Sequence, residues 1–339
     1  MHTFRKTPAP SAPLLFTRRA FLGSLAASAA LAGLPGAAFA AGPLRVLAAT
    51  YPACLACSAV MDGLPGMELD LLVAAQTGCP HDYAMTPRDR MKLEECDVLV
   101  LNGGGFESFL DDRLLSGLSA QVVDAGAGID MSAAPGPKEH EHDEHGHEAH
   151  DHEHEGEHEE EPGHHHHHGA GNPHYFSSPA AFAVMAGNVA AALGKKCPEQ
   201  AAVLKERADA LAVSMGALSA DLQALPGEGM HLVVQHDTLS WFFRGTSFHI
   251  EAVLQEEADD APSAAALLAL VNRIKAGGTW LLVGEPQFPG QVMDTLAAET
   301  GAKKIYVNPL ASGPYPVPAG LYEKTMRENI AVLAAAVGK

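Results

Sequence analysis

From Leu44 onward the chain alternates short β-branched apolar runs with longer stretches whose apolar residues recur every three or four positions. The first kind reads as buried strand and the second as helix laid against it. In the first half the expected strands are Arg45 to Ala49, Glu68 to Val73, Asp97 to Leu101 and Gln121 to Asp124. Helices are expected from about Pro52 to Asp62, from Thr86-Pro87 to Glu95 and from Phe106 to Leu115. Thr86 supplies a capping oxygen for the exposed N–H groups of a first turn, and proline suits the first helical position. The second half repeats this grammar. Strands at His231 to Val234, Phe248 to Leu254, Trp280 to Val283 and Lys304 to Val307 alternate with helices at Leu239 to Arg244, Ser263 to Ala276, Gln291 to Thr300 and Tyr322 to Val337. Strands separated by helices pair in parallel, so the pattern predicts an α/β protein of two doubly wound lobes. Between them, Pro198 to Leu225 reads as one long helix, with Leu204, Leu211, Met215, Leu218 and Leu222 at helical spacing. Such a helix joins the lobes more rigidly than a pair of strands would.

Two regions stand outside this pattern. Residues 1–40 are read as a leader: Arg18-Arg19 precede a modest apolar run from Ala20 to Leu34, and Ala38-Phe39-Ala40 offers small residues for cleavage near Ala40/Ala41. Thr17-Arg18-Arg19-Ala20-Phe21-Leu22 resembles a twin-arginine export signal, and an ordinary Sec signal is the alternative. The second region, 133–172, is an insert without an apolar face, expected to be disordered in the absence of metal. The domain scheme is therefore leader 1–40, N-terminal lobe 41–132 with 173–197, insert 133–172, linker helix 198–225 and C-terminal lobe 226–339.

Charge sharpens this division. The net charge is −19, and Glu139 to Glu161 holds 12 acidic residues with no Lys or Arg. Setting aside those 12 and the four cations of the leader (Arg5, Lys6, Arg18 and Arg19) leaves −11 on the folded body. That surface repels nucleic acid and anionic lipid and tolerates cations. No stretch after residue 41 is apolar for long enough to span a bilayer.

Candidate chemistry then narrows to cysteine and histidine. The five cysteines are Cys54, Cys57, Cys79, Cys96 and Cys197. Cys54-x-x-Cys57 lacks the second CxxC of a zinc ribbon, which leaves a small disulfide, with Cys79 as one partner, or buried thiols. Thirteen histidines fall between His140 and His168, ending in five in a row, and read as a metal-collecting loop. Three more stand in ordered loops: His81 in Pro80-His81-Asp82-Tyr83, His174 in Asn172-Pro173-His174, and His236 directly after a strand in Gln235-His236-Asp237. Open α/β sheets bind ligands beyond the carboxyl ends of their strands. Three imidazoles suit zinc, copper or nickel and leave one coordination position open. His231 and His249 lie in expected strands and are read as structural. The rival reading of a three-histidine zinc site is a hydrolase, for which Glu285 is the one candidate general base. No HExxH, GxSxG or P-loop is present.

Those motifs, with Asp97-Val98-Leu99-Val100-Leu101-Asn102-Gly103, Glu285-Pro286-Gln287-Phe288, Asn308-Pro309-Leu310 and Met326-Arg327-Glu328-Asn329, follow an order and spacing that resemble the ZnuA-like zinc-binding receptors of bacterial ABC importers. The resemblance runs from about Leu44 to Val337. It implies two α/β lobes joined by a rigid helix, with metal in the interlobe cleft. It carries the ligand roles onto His81, His174 and His236, and places Asn308 at the fourth corner. It also implies Zn²⁺ as transported ligand, a periplasmic location, a membrane ABC permease as partner, a monomeric receptor and no enzymatic activity. A receptor for manganese, iron or nickel is the alternative. Two departures are visible: Asn172 stands where the family usually has aspartate before Pro-His, and Asn308 stands where a carboxylate is frequent.

Overall fold

The structure is a computed structural model and describes residues 42–77, 80, 83–131, 171–255 and 262–338. The leader and nearly all of the histidine-rich insert lie outside the described residues, as do Cys79 and His81. In the first lobe, β1 (Leu44–Ala48), β2 (Met67–Leu71), β3 (Val98–Leu101) and β4 (Gln121–Asp124) pair in parallel in the order β2-β1-β3-β4. In the second, β5 (Met230–His236), β6 (His249–Gln255), β7 (Thr279–Gly284) and β8 (Lys303–Tyr306) repeat it as β6-β5-β7-β8. The helices are α1 (Tyr51–Met61), α2 (Pro87–Glu95), α3 (Asp112–Ser116), α4 (Pro179–Lys196), α5 (Ala201–Gln223), α6 (Thr238–Phe242), α7 (Ala264–Lys275), α8 (Gln291–Thr300) and α9 (Leu321–Ala336). The expected pair of doubly wound lobes is what forms.

Alternation along each strand explains the layers, because successive side chains leave a strand on opposite faces. Val46, Ala48, Val98 and Val100 enter a central core, while Leu47, Ala49 and Leu99 face an outer cluster closed by Leu93 of α2. The second sheet behaves alike. Leu232, Val234, Leu281 and Val283 join the same central core, and Val233 and Leu282 face an outer cluster with Leu270 of α7 and Leu296 of α8. One apolar core therefore runs continuously from lobe to lobe. It is closed by α4 and α5, which pack along each other, and Phe182 of α4 stacks on Tyr322 of α9 at 3.6 Å with an angle of 4°. Tyr322 donates its hydroxyl to the carbonyl of Phe176 at 2.8 Å, a second tie between the halves.

Three local expectations change. No element was expected at 179–196, yet α4 forms there and buries Phe182, Met185, Ala186, Val189 and Leu193. Its alanine-rich sequence has too weak an apolar stripe to announce itself, and packing against α5 supplies the missing stabilisation. The helix expected over Phe106 to Leu115 is instead a series of turns followed by the short α3. Gly103, Gly104 and Gly105 all take positive φ, and Asp111 restarts the chain as a helix by accepting from Leu114 N at 2.6 Å. The helix expected from Pro198 opens as a single 3₁₀ turn, Pro198–Gln200, ahead of α5. Of the two cysteine readings, buried thiols describe Cys54, Cys57 and Cys96, which are free, while Cys197 is free and half-buried. Burial pushes Cys54 up to about 12 and Cys57 well above its ordinary value, so neither is a nucleophile at neutral pH.

Candidate metal centre

Each sheet reverses its strand order at one point, between β1 and β3 in the first lobe and between β5 and β7 in the second. Loops leaving adjacent strands diverge there, which opens a crevice at the carboxyl ends. In the second lobe that crevice is lined by His236, the last residue of β5, and Glu285, the first after β7. In the first lobe it is held by Glu107, which is 6% exposed. Glu107 Oε1 accepts from Thr50 Oγ1 at 3.0 Å and from Asn102 N at 2.7 Å, and Oε2 accepts from Gly103 N at 3.0 Å. One carboxylate thus ties the chain after β1 to the chain after β3. Burial pushes its pKa up to about 7, against the downward pull of those three donors.

His174 belongs to the segment that returns from the insert, just before a 3₁₀ turn at Tyr175–Ser177. It is 3% exposed and His236 is fully buried. Their ring centroids lie 5.0 Å apart with the planes at 87°. Phe106 packs edge-on to His174 at 5.4 Å, and Phe288 covers His236 at 5.1 Å. With Zn–N bonds of roughly 2.0–2.1 Å and a tetrahedral angle, two imidazoles on one ion have centroids about 5 Å apart. The observed separation matches that requirement, inside an apolar sleeve that strengthens a charge–dipole bond. His236 Nδ1 lies 2.6 Å from Thr238 Oγ1 and 3.2 Å from Thr238 N, so its rear nitrogen is also anchored.

The other expected residues are placed as follows. His81 lies outside the described residues. The helix that follows it begins as anticipated, with Thr86 and Asp89 forming a reciprocal capping box and Tyr83 donating to Asp89 Oδ2 at 2.8 Å. Asn308 follows β8 and is half-buried; its Oδ1 accepts from Leu310 N at 2.9 Å, stabilising a turn in which Leu310 takes φ 63°. Among the described residues no group of three or more His, Cys, Asp or Glu gathers into a metal cage. The pair His174–His236 is what the fold brings together. His231 and His249 are paired in register at the amino ends of β5 and β6, away from the carboxyl-end crevice, where both contact Glu251, at 2.7 and 3.4 Å.

Glu285 changes the assessment of the hydrolase. It is fully buried, accepts from Gln287 Nε2 through Oε2, and its Oε1 has no hydrogen-bond partner among the described residues. Burial, with a smaller push from the negative charge of Asp237, holds its pKa well above the carboxylate range. Such a shift disfavours the anion, the form in which a carboxylate takes up a proton as general base. Motif reading missed Glu107 and the flanking Phe106 and Phe288. The run Asn102-Gly103-Gly104-Gly105 at a strand end was the available signal for the first two, since such a break marks a functional loop.

A bilobal α/β scaffold that presents two buried imidazoles at the seam between its sheets defines a metal-binding receptor more readily than an enzyme. The sequence profile of the family described as "Zinc-uptake complex component A periplasmic" (ZnuA) matches residues 46–336, and the chain belongs to that family. It is 32% identical over 302 residues to the high-affinity zinc uptake system protein ZnuA of Brucella abortus (strain 2308), covering 84% of this chain and 90% of that protein. The protein of the same name from Haemophilus ducreyi is 34% identical over 274 residues, covering 79% and 85%. Among solved structures, FpvC of Pseudomonas aeruginosa in complex with Mn²⁺ superposes with a TM-score of 0.67 over 87% of this chain and 98% of that one; at 24% identity it shows the fold.

Proposed function

We infer that this protein is an exported zinc receptor that holds Zn²⁺ at the interlobe seam and delivers it to a membrane ABC permease. The observation that carries this reading is the His174–His236 pair, at the spacing one tetrahedral ion requires. Membership of the zinc-uptake family supplies the transport context. His81, five residues ahead of the Thr86 cap in sequence, is the third ligand in this reading, and Asn308 or a solvent molecule completes the fourth corner. Three imidazole nitrogens select zinc over manganese, which prefers more oxygen ligands. The protein works as a monomer, is cleaved near Ala40/Ala41 and binds without covalent chemistry. Residues 133–172 collect metal at low affinity and pass it to the seam.

The test is a competitive titration with Zn²⁺ and Mn²⁺ on the protein lacking residues 133–170, a deletion that spares Asn172. Tight zinc binding survives the deletion and is lost on adding His236→Ala. A deletion that abolishes all tight binding, or Mn²⁺ binding undisturbed by equimolar Zn²⁺, overturns the assignment.

A further inference from the structure

Asn172 uses every hydrogen-bonding group of its side chain at the seam. Its Oδ1 accepts from the backbone N–H of His174 at 2.8 Å and lies 2.8 Å from His174 Nδ1. Its Nδ2 donates to the backbone carbonyl of Asp237 at 3.0 Å and to Asp237 Oδ2 at 2.7 Å. The Asn172 carbonyl accepts from Trp241 Nε1 at 2.8 Å. Ser177 Oγ, five residues on, reaches the Thr238 carbonyl at 2.7 Å. The segment carrying His174 is therefore bound directly to the segment that follows His236.

Amide oxygen and nitrogen are ordinarily interchangeable by inspection, but here both ends face backbone groups of fixed character. A backbone N–H only donates and a backbone carbonyl only accepts, so Oδ1 points to His174 and Nδ2 to Asp237. The same orientation determines the histidine. An oxygen that only accepts requires a proton on Nδ1, which makes Nε2 the lone-pair nitrogen, the form in which imidazole binds a metal. The same rule gives His236 the other form: Thr238 N–H donates to its Nδ1 at 3.2 Å, so Nδ1 accepts and the ring proton stands on Nε2 until metal displaces it.

We propose that Asn172 is a positioning residue that presets His174 as its Nδ1–H tautomer before metal arrives and latches it across the seam to Asp237. The proposal rests on the zinc-receptor reading above. It accounts for asparagine at this place. An aspartate here accepts from His174 equally well, but it sets its second oxygen against the carbonyl and carboxylate of Asp237 with no hydrogen between them. The latch needs a donor on that side, and asparagine has one.

The test uses the protein without residues 133–170, which removes the histidine-rich stretch and keeps Asn172, comparing it with N172D, N172A, the exchange variant N172D/D237N and H174A. The first readout is the ¹⁵N shift pattern of His174 in the metal-free protein, which distinguishes the two tautomers. The wild type gives the Nδ1–H pattern, N172A gives a mixture, and N172D retains Nδ1–H. The second is zinc dissociation into a chelator. Release quickens by about 10–100-fold in N172D and N172A, the range seen when a group supporting a metal ligand is removed. N172D/D237N recovers part of the N172D loss, because an amide donor again stands between the two side chains, a recovery that a general packing defect does not produce. An Nε2–H tautomer in the wild type, or unchanged release in both N172D and N172A while H174A abolishes binding, overturns the latch and leaves the receptor reading intact. Wild-type affinity in H174A overturns the receptor reading itself.

Discussion

Glutamine at position 107 isolates the cost of a buried charge beneath the seam. Glu107 is 6% exposed and its pKa is pushed from 4.5 to about 7. Between those values the unfolded chain has lost this proton while the folded chain still holds it. The folded state binds more protons there, so stability falls as pH rises. The contribution is complete below pH 4.5, is lost progressively toward pH 7 and is constant above it. At about 1.4 kcal/mol per unit, that shift amounts to about 3 kcal/mol. Glutamine copies the size of the neutral acid without ionising. Wild-type stability relative to E107Q therefore drops by about 3 kcal/mol across the window. Urea denaturation of both metal-free proteins over that pH range measures it, and titration of the histidines cancels in the difference. A difference that stays constant, or that grows with pH, refutes the reasoning. Growth in particular means that the donors from Thr50, Asn102 and Gly103 outweigh desolvation and that Glu107 is charged in the native state.

Two further substitutions test the frame around the site. D89A removes one carboxylate oxygen that receives Tyr83 O–H, Thr86 O–H and Thr86 N–H, each at 2.8 Å. The expected loss is about 1–3 kcal/mol in urea denaturation. Burial alone would raise the pKa of Asp89, but the bonds from Thr86 and Tyr83 and the charge of Lys92 hold it below the ordinary value of 3.8. Its contribution is thus present above that value and is lost as pH falls through the lower folded pKa; a D89A deficit that persists at the lowest pH contradicts this. F182A empties a fully buried ring stacked on Tyr322, with an expected cost of about 3–5 kcal/mol and a lowered thermal midpoint. A loss under about 1 kcal/mol means that the two halves are not joined through this contact.

Strand positions were legible because buried parallel strands are short, β-branched and bounded by polar loops, and Gln121–Asp124 appears with its expected ends, as does the helix Gln291–Thr300. Helix α2 was legible for a different reason: Thr86, Pro87 and Asp89 write its first turn in local chemistry. Helix α4 was not, because its stability resides in contact with α5 and not in its own pattern. The site shows the same split. His174 and His236 are visible as histidines in loops, but their approach to 5.0 Å depends on a fold that joins positions 62 residues apart. For Glu107 the glycine run marked the loop but not the role, because a buried carboxylate and a surface one look alike until the donors around it are in place.

The asparagine at 172 illustrates what a family pattern alone leaves out. Read along the chain, it stands where the family usually has an aspartate before Pro-His. In the folded protein the negative charge has moved one hydrogen bond outward, to Asp237, with the amide of Asn172 relaying between carboxylate and imidazole. A direct carboxylate would hold the His174 ring more basic and favour its doubly protonated form, which competes with metal. A neutral relay keeps the tautomer and softens that competition. Zinc affinity, measured against pH in the protein without residues 133–170, should therefore decline less steeply on acidification in the wild type than in N172D. Equal slopes would mean that the charge beside His174 is immaterial, and that Asn172 serves only to join the lobes.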